Sequence, residues 1–209
     1  MNLIGRMIFF MMLIMKRSRL GIGLMLACLI AAGCGGRSSV GQRRLPVGDR
    51  DLLVLKVPLA WKQIDRSAAD GTVQSYMFTA GEGKAFRVTV TPLAAQQLKF
   101  GFSRPENIRA LVENEGTDLL PNALESKIRL EELRVGDVVG YHFTLTDRAP
   151  KPGEFKYLIE GARGFPQMLV MFSILAQDRQ SEVCREALSM IAASRVEEIP
   201  LRDRKTPSR

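Results

Sequence analysis

Hydrophobic positions along this chain follow distinct rhythms, and each predicts a different kind of segment. Near the N-terminus they are almost continuous. Met1 to Ile14 carries one charge, Arg6, and Leu20 to Ile30 carries none. Further on they break into short runs bounded by glycine, proline and polar clusters. Leu52 to Pro58 is a strand that Pro58 ends, and Leu59-Ala60-Trp61-Lys62 follows as a turn with Trp61 at the core edge. Val73 to Phe78 and Ala85 to Thr91 form a hairpin around Gly81-Glu82-Gly83-Lys84, whose glycines suit a tight loop. In Phe86-Arg87-Val88-Thr89-Val90-Thr91 apolar and polar residues alternate, which predicts one buried face and one wet face.

The rhythm then changes to that of a helix. Ser103 supplies a cap, Pro105 is tolerated in the first turn and Glu106 sits at the capping-box position. Ile108, Leu111 and Val112 give one apolar face, and Gly116 lies near the end. Ile128 to Leu133 and Val138 to Thr146 are strands about a Val135-Gly136-Asp137 turn. Val139, Tyr141, Phe143 and Leu145 share one face of the second. Phe155 to Gly161 is a strand and Arg163-Gly164-Phe165-Pro166 a turn. Gln167 to Leu175 is so continuously apolar that it belongs in the middle of a sheet covered on both faces. Asp178 offers a cap for a last helix striped by Val183, Cys184, Ala187, Leu188 and Ile191. The order is strands, helix, four strands, helix, with short links. It predicts an α+β class: a mainly antiparallel sheet flanked by helices, in one domain over residues 51–197, with a polar tail over 198–209.

The N-terminal runs have a different purpose. Met15-Lys16-Arg17-Ser18-Arg19 is basic, Leu20 to Ile30 is apolar but shorter than the roughly 20 residues a spanning helix takes, and Ala31-Ala32-Gly33 is small. This is the three-part layout of a secretory signal peptide over residues 1–33, with translation expected to start at Met15; the alternative is that Met1 to Ile14 is a real extra hydrophobic segment. Because Cys34 follows directly, the segment resembles a bacterial lipobox. That resemblance implies cleavage between Gly33 and Cys34 and a lipid on the Cys34 thiol, holding the protein to a membrane. Ala31 stands where the family prefers leucine. Residues 34–50, rich in glycine, serine and arginine, are expected to be a flexible tether. Gly35 after the cysteine favours the outer membrane by the same resemblance, with the domain facing the periplasm.

Charge changes this picture little. The net charge is +8, but four of the 30 basic residues precede Cys34 and no acidic residue does. The rest are spread thinly, without a block of like charge or interleaved aromatics, so no nucleic-acid partner is expected. Three cysteines, two of them in or at the end of the leader, exclude a disulfide framework and give no zinc spacing.

Candidate chemistry is sparse. His142 is the one histidine, expected at a surface or edge between Tyr141 and Phe143. Cys184 lies in a helical apolar stripe, as a buried structural thiol does. Glu131 and Glu132 are adjacent on a strand and point to opposite faces, so they cannot share a substrate. Gly81-Glu82-Gly83-Lys84 lacks the remainder of a phosphate loop. Trp61, Phe165, Met168 and Met171 are core residues rather than a ligand groove. No catalytic residue, metal or cofactor is predicted.

Three stretches carry a second resemblance: Val57-Pro58-Leu59-Ala60-Trp61, the strand Phe155 to Gly161, and Met168 to Leu175 leading into the last helix. Over Asp51 to Val196 the chain resembles the PsbP/Mog/DcrB-like family, an α/β/α sandwich. The resemblance implies a non-catalytic role in binding a protein partner or an envelope assembly, and it carries no functional residue to a position here. A small-molecule or lipid-binding module is the second expectation, and an unrecognised hydrolase the third.

Overall fold

Alternation along the chain builds an antiparallel framework. The computed structural model describes residues 39–67, 73–80, 86–98, 101 and 104–200. The signal segment, the Gly33–Cys34 bond, the loop at Gly81 to Lys84, the Ser103 cap and residues 201–209 of the tail lie outside the described residues.

The strands are β1 (Val40–Val47), β2 (Asp51–Pro58), β3 (Trp61–Ser67), β4 (Gln74–Ala80), β5 (Phe86–Ala94), β6 (Glu131–Val135), β7 (Val138–Thr146), β8 (Tyr157–Gly164), β9 (Met168–Ala176) and β10 (Arg195–Glu198). The helices are α1 (Pro105–Leu119) and α2 (Glu182–Ala192). Seven strands form one sheet in the order β3-β4-β5-β9-β8-β7-β6, and three form a second in the order β1-β2-β10. Every pairing is antiparallel.

β9 is the central strand of the large sheet, with β5 and β8 beside it, and is buried along nearly its whole length. Its unbroken apolar run follows from that position. Phe172, Val170 and Ile174 face the three-stranded sheet and α2, in a core with Leu53, Leu55, Phe78, Val88, Ala187 and Ile191. The opposite face carries α1, which packs on β7 and β8 through Ile108 and Val112. Gly116 allows this approach, since a methyl there would stand 2.8 Å from Ile128 Cδ1 and 3.0 Å from Phe143 Cδ1.

Several expectations need correction. Residues 40–47, expected within a tether spanning 34–50, form β1. They pair with β2 from Val40 opposite Pro58 to Val47 opposite Asp51, and Leu45 and Val47 enter the core. Trp61 opens β3 instead of sitting in a turn; its ring lies 4.8 Å from that of Phe86. The strand expected at Ile128 to Leu133 begins only at Glu131, because Ile128 leaves the sheet to pack on α1. Ser181, not Asp178, caps α2, accepting a hydrogen bond from the Cys184 amide. The expected tail begins inside β10, which reaches Glu198 and lies beside β2.

Arg163, expected in a turn, lies within β8 and is 1% exposed. Its Nη1 donates to the Ile191 and Ser194 carbonyls at 2.8 and 3.0 Å, at the C-terminal end of α2. The guanidinium also lies 5.1 Å from the centre of the Phe165 ring. A buried cation is tolerated here because helix-end carbonyls face it.

Candidate functional site

An open pocket forms where several strand ends meet. Thr144 comes from β7, Glu131 opens β6, Arg179 precedes α2, and Leu124, Glu125, Ser126, Lys127 and Arg129 lie between α1 and β6. Together they line an opening of about 520 Å³. The connecting segment is fastened to β7. Glu125 accepts hydrogen bonds from the Thr146 amide and hydroxyl, both at 2.8 Å, and the Leu124 amide donates to the Thr146 carbonyl at 2.9 Å. Arg148 donates to the Ala123 carbonyl from two nitrogens.

The charges in this pocket are unevenly committed. The Thr146 bonds hold the Glu125 carboxyl below its usual range despite the opposing effect of burial, and the Arg179 charge adds to them. Glu131 stands 3.9 Å from Arg179. Lys127 and Arg129 have no ion pair among the described residues. The opening is therefore suited to weak, solvent-screened attraction of an anion.

His142 lies on the same face of β7 as Thr144, directly across from Glu131. It is buried, at 5% exposure, in contrast to the expected surface or edge position. β6 takes the edge of the sheet and β7 becomes an interior strand. Gly161, its partner on β8, makes the room: a methyl there would stand 2.7 Å from the His142 Cβ and equally close to Phe172 Cζ. Burial lowers the imidazole pKa from its ordinary 6.5, and the Glu131 charge partly offsets this. Nδ1 has no hydrogen-bond partner among the described residues.

The remaining predicted residues are dispersed. Glu131 and Glu132 lie across from His142 and Tyr141 respectively, on opposite faces, and Glu132 pairs with Arg134. The Cys184 thiol is 2% exposed, 3.2 Å from the Ser181 hydroxyl and 3.6 Å from the Asp178 carbonyl. Trp61, Phe165, Met168 and Met171 are all buried rather than arranged along a groove.

One acidic pair has no sequence signal. Glu160 of β8 points under α1, on the face shared with Phe143 and Ser173. It is 5% exposed; burial first, and the nearby Glu115 of α1 second, push its pKa up to about 8. The Glu115 carboxyl is raised as well, by burial and then by Asp118. The Glu115 charge thus opposes ionisation of Glu160. Only the tertiary packing of α1 on β8 brings them together.

The fold defined by these elements is α+β, two antiparallel sheets with two helices. No protein-family model matches the chain, and no curated protein matches it. Among solved structures, it is similar to the solution structure of cyanobacterial PsbP (CyanoP) from Synechocystis sp. PCC 6803. The TM-score is 0.51 at 12% identity, over 81% of this chain and 99% of that one. A crystal structure from Bacteroides thetaiotaomicron VPI-5482 covers 72% of this chain and 46% of its own length, with a TM-score of 0.44 at 14% identity. The fold of the described domain is PsbP-like, as the resemblance in the sequence implied.

Proposed function

We propose that this protein is a lipid-anchored lipoprotein of the bacterial cell envelope, joined to its membrane through Cys34, with a non-catalytic role in binding a protein partner or an assembly. The observation that carries this reading is the basic, apolar and small-residue succession from Lys16 to Gly33, ending on Cys34, ahead of a separately folded domain. The PsbP-like fold supports an accessory role. The dispersal of His142, Cys184 and the acidic residues supports a surface used for contact rather than chemistry. Gly35 favours the outer membrane, with the domain on the periplasmic side.

The test is the intact mass of the protein purified from its native membrane in mild detergent. A species that begins at Cys34 and carries acyl chains is expected. A species retaining residues 1–33, or an unacylated soluble form, overturns the anchor. Cross-linking in the same membranes tests the second half of the reading: one partner, recovered reproducibly and lost on charge reversal at a surface position, is expected.

A further inference from the structure

β1 brings the N-terminal chain into the fold at a defined place, and that place has its own chemistry. Val40 pairs with Pro58, and the Leu59 amide donates to the Ser39 carbonyl at 2.9 Å. The chain therefore enters beside the β2–β3 connection. The same end of the strands holds the start of β3, the ends of β7 and β9 and the approach to α2. The pairing of Trp61 with Ala80, and of Tyr157 with both Ala176 and Thr146, sets this alignment.

We propose that this end of the domain lies against the phospholipid surface of the membrane that holds Cys34. The inference rests on the lipid-anchor reading above. Only residues 35–39 separate Cys34 from β1. At full extension that lead reaches roughly 20 Å, far less than a tether running to residue 50 allows. The end it leads to is apolar at its margins: Val40 is 55%, Leu59 57% and Leu124 61% exposed. Side chains this open are of the kind that enter the boundary between headgroups and acyl chains. Between these margins Lys62, Lys151 and Lys156 are exposed, with Lys127 and Arg129 at the rim of the pocket.

Three carboxylates at this end are held by backbone amides, and Glu125 and Glu131 share the pocket with Lys127 and Arg129. Asp147, Asp178 and Glu154 accept hydrogen bonds from the Ala149, Gln180 and Lys151 amides. An anionic bilayer attracts the exposed lysines and Arg129 of this end. A short tether holds that end at an effective concentration on the order of millimolar, so weak contacts suffice to orient the domain.

Trp61 is the one tryptophan in the whole chain and opens β3 at this end, so its emission reports the orientation. The membrane-purified protein is placed in vesicles of phosphatidylethanolamine and phosphatidylglycerol containing dansyl-headgroup lipid, and energy transfer from Trp61 is measured. Strong transfer is expected. The double substitution Val40→Glu with Leu59→Glu is expected to lower it measurably while flotation with the vesicles is unchanged. Val135→Glu, at the far end of β6, is expected to leave it intact. Weak transfer from an acylated protein that floats, or equal transfer from the double variant, overturns the proposal. A protein that neither floats nor carries acyl chains overturns the anchor reading and this one with it. Strong transfer from a protein that retains residues 1–33 upholds the orientation and removes only the lipid on Cys34.

Discussion

His142 shows how far a single residue's neighbours can reverse a reading of its strand. On β7 it alternates with Tyr141 and Phe143, a pattern that suits a polar side chain turned to water. Gly161 on β8 leaves room for the His142 Cβ and the Phe172 ring, where any side chain would collide with both. No local pattern reveals this, because Gly161 lies nineteen residues away and pairs with His142 only in the folded sheet. The consequence is a pH dependence of known sign. Burial lowers the folded-state pKa below the ordinary 6.5, so the unfolded chain binds the proton more readily. The stabilising contribution is complete above about pH 6.5 and is lost as the pH falls toward the folded-state pKa. His142→Leu removes this linkage. In urea titrations the difference in midpoint between His142→Leu and the natural protein is expected to shift in favour of the variant from about pH 7 to about pH 5. A difference that stays constant over this range would show that the imidazole is not buried in its neutral form.

At the scale of elements, the sequence reading succeeds where a strand's own residues determine its environment. The apolar run Met168 to Leu175 marks β9 as central, and Val139, Phe143 and Leu145 mark the face of β7 that α1 covers. It fails for β1 and β10, whose Gln42, Arg43, Arg44, Arg195 and Glu197 give no apolar period. Both are strands because β2 offers them open edges. The Glu115–Glu160 pair belongs to this scale too, since it exists only where α1 meets β8. Glu160 has its folded pKa raised from 4.5 to about 8. Its protonated form is favoured by folding, so its contribution is complete below pH 4.5 and is lost as the pH rises through about 8. Glu160→Gln keeps the shape and removes the ionisation. The variant is expected to gain on the natural protein progressively from about pH 4.5 upward, by about 5 kcal/mol once the pH exceeds about 8, with little difference below pH 4.5. Denaturant unfolding on both sides of neutrality checks this, and parallel pH profiles for the two proteins would exclude an acid buried under α1.

The whole molecule begins earlier in the chain than its hydrophobic rhythm suggests. Asp51 marks the first strong apolar run, yet the structure depends on residues before it. Leu45 and Val47 fill the core, and the Tyr76 hydroxyl donates to the Pro46 carbonyl at 2.8 Å. A chain beginning at Asp51 is therefore expected to be less stable than one beginning at Cys34, by roughly 4 kcal/mol for the two lost apolar side chains. That is a large fraction of a typical domain's margin, and the uncovered β2 edge would favour association between molecules. Thermal melting and light scattering of the two chains check both effects; equal melting temperatures would make β1 dispensable. The α+β class was legible as a whole because most strands carry their own pattern. The single interior histidine, the paired acids and the buried Arg163 were not, because each depends on groups distant in sequence.

The placement of β1 also decides how the domain bears mechanical load. Force drawn through an N-terminal attachment reaches the fold at Val40, the outermost rung of an antiparallel ladder with β2. When the fold resists at the adjoining end of β2, the rungs beside Pro58 carry the tension first and separate in succession, as in a zip fastener. Release of β1 would then lengthen the lead by the span of the strand and free the domain to move outward while its other sheet stays folded. A sustained pull from a bound partner would in this way convert a closely held domain into a far-reaching one.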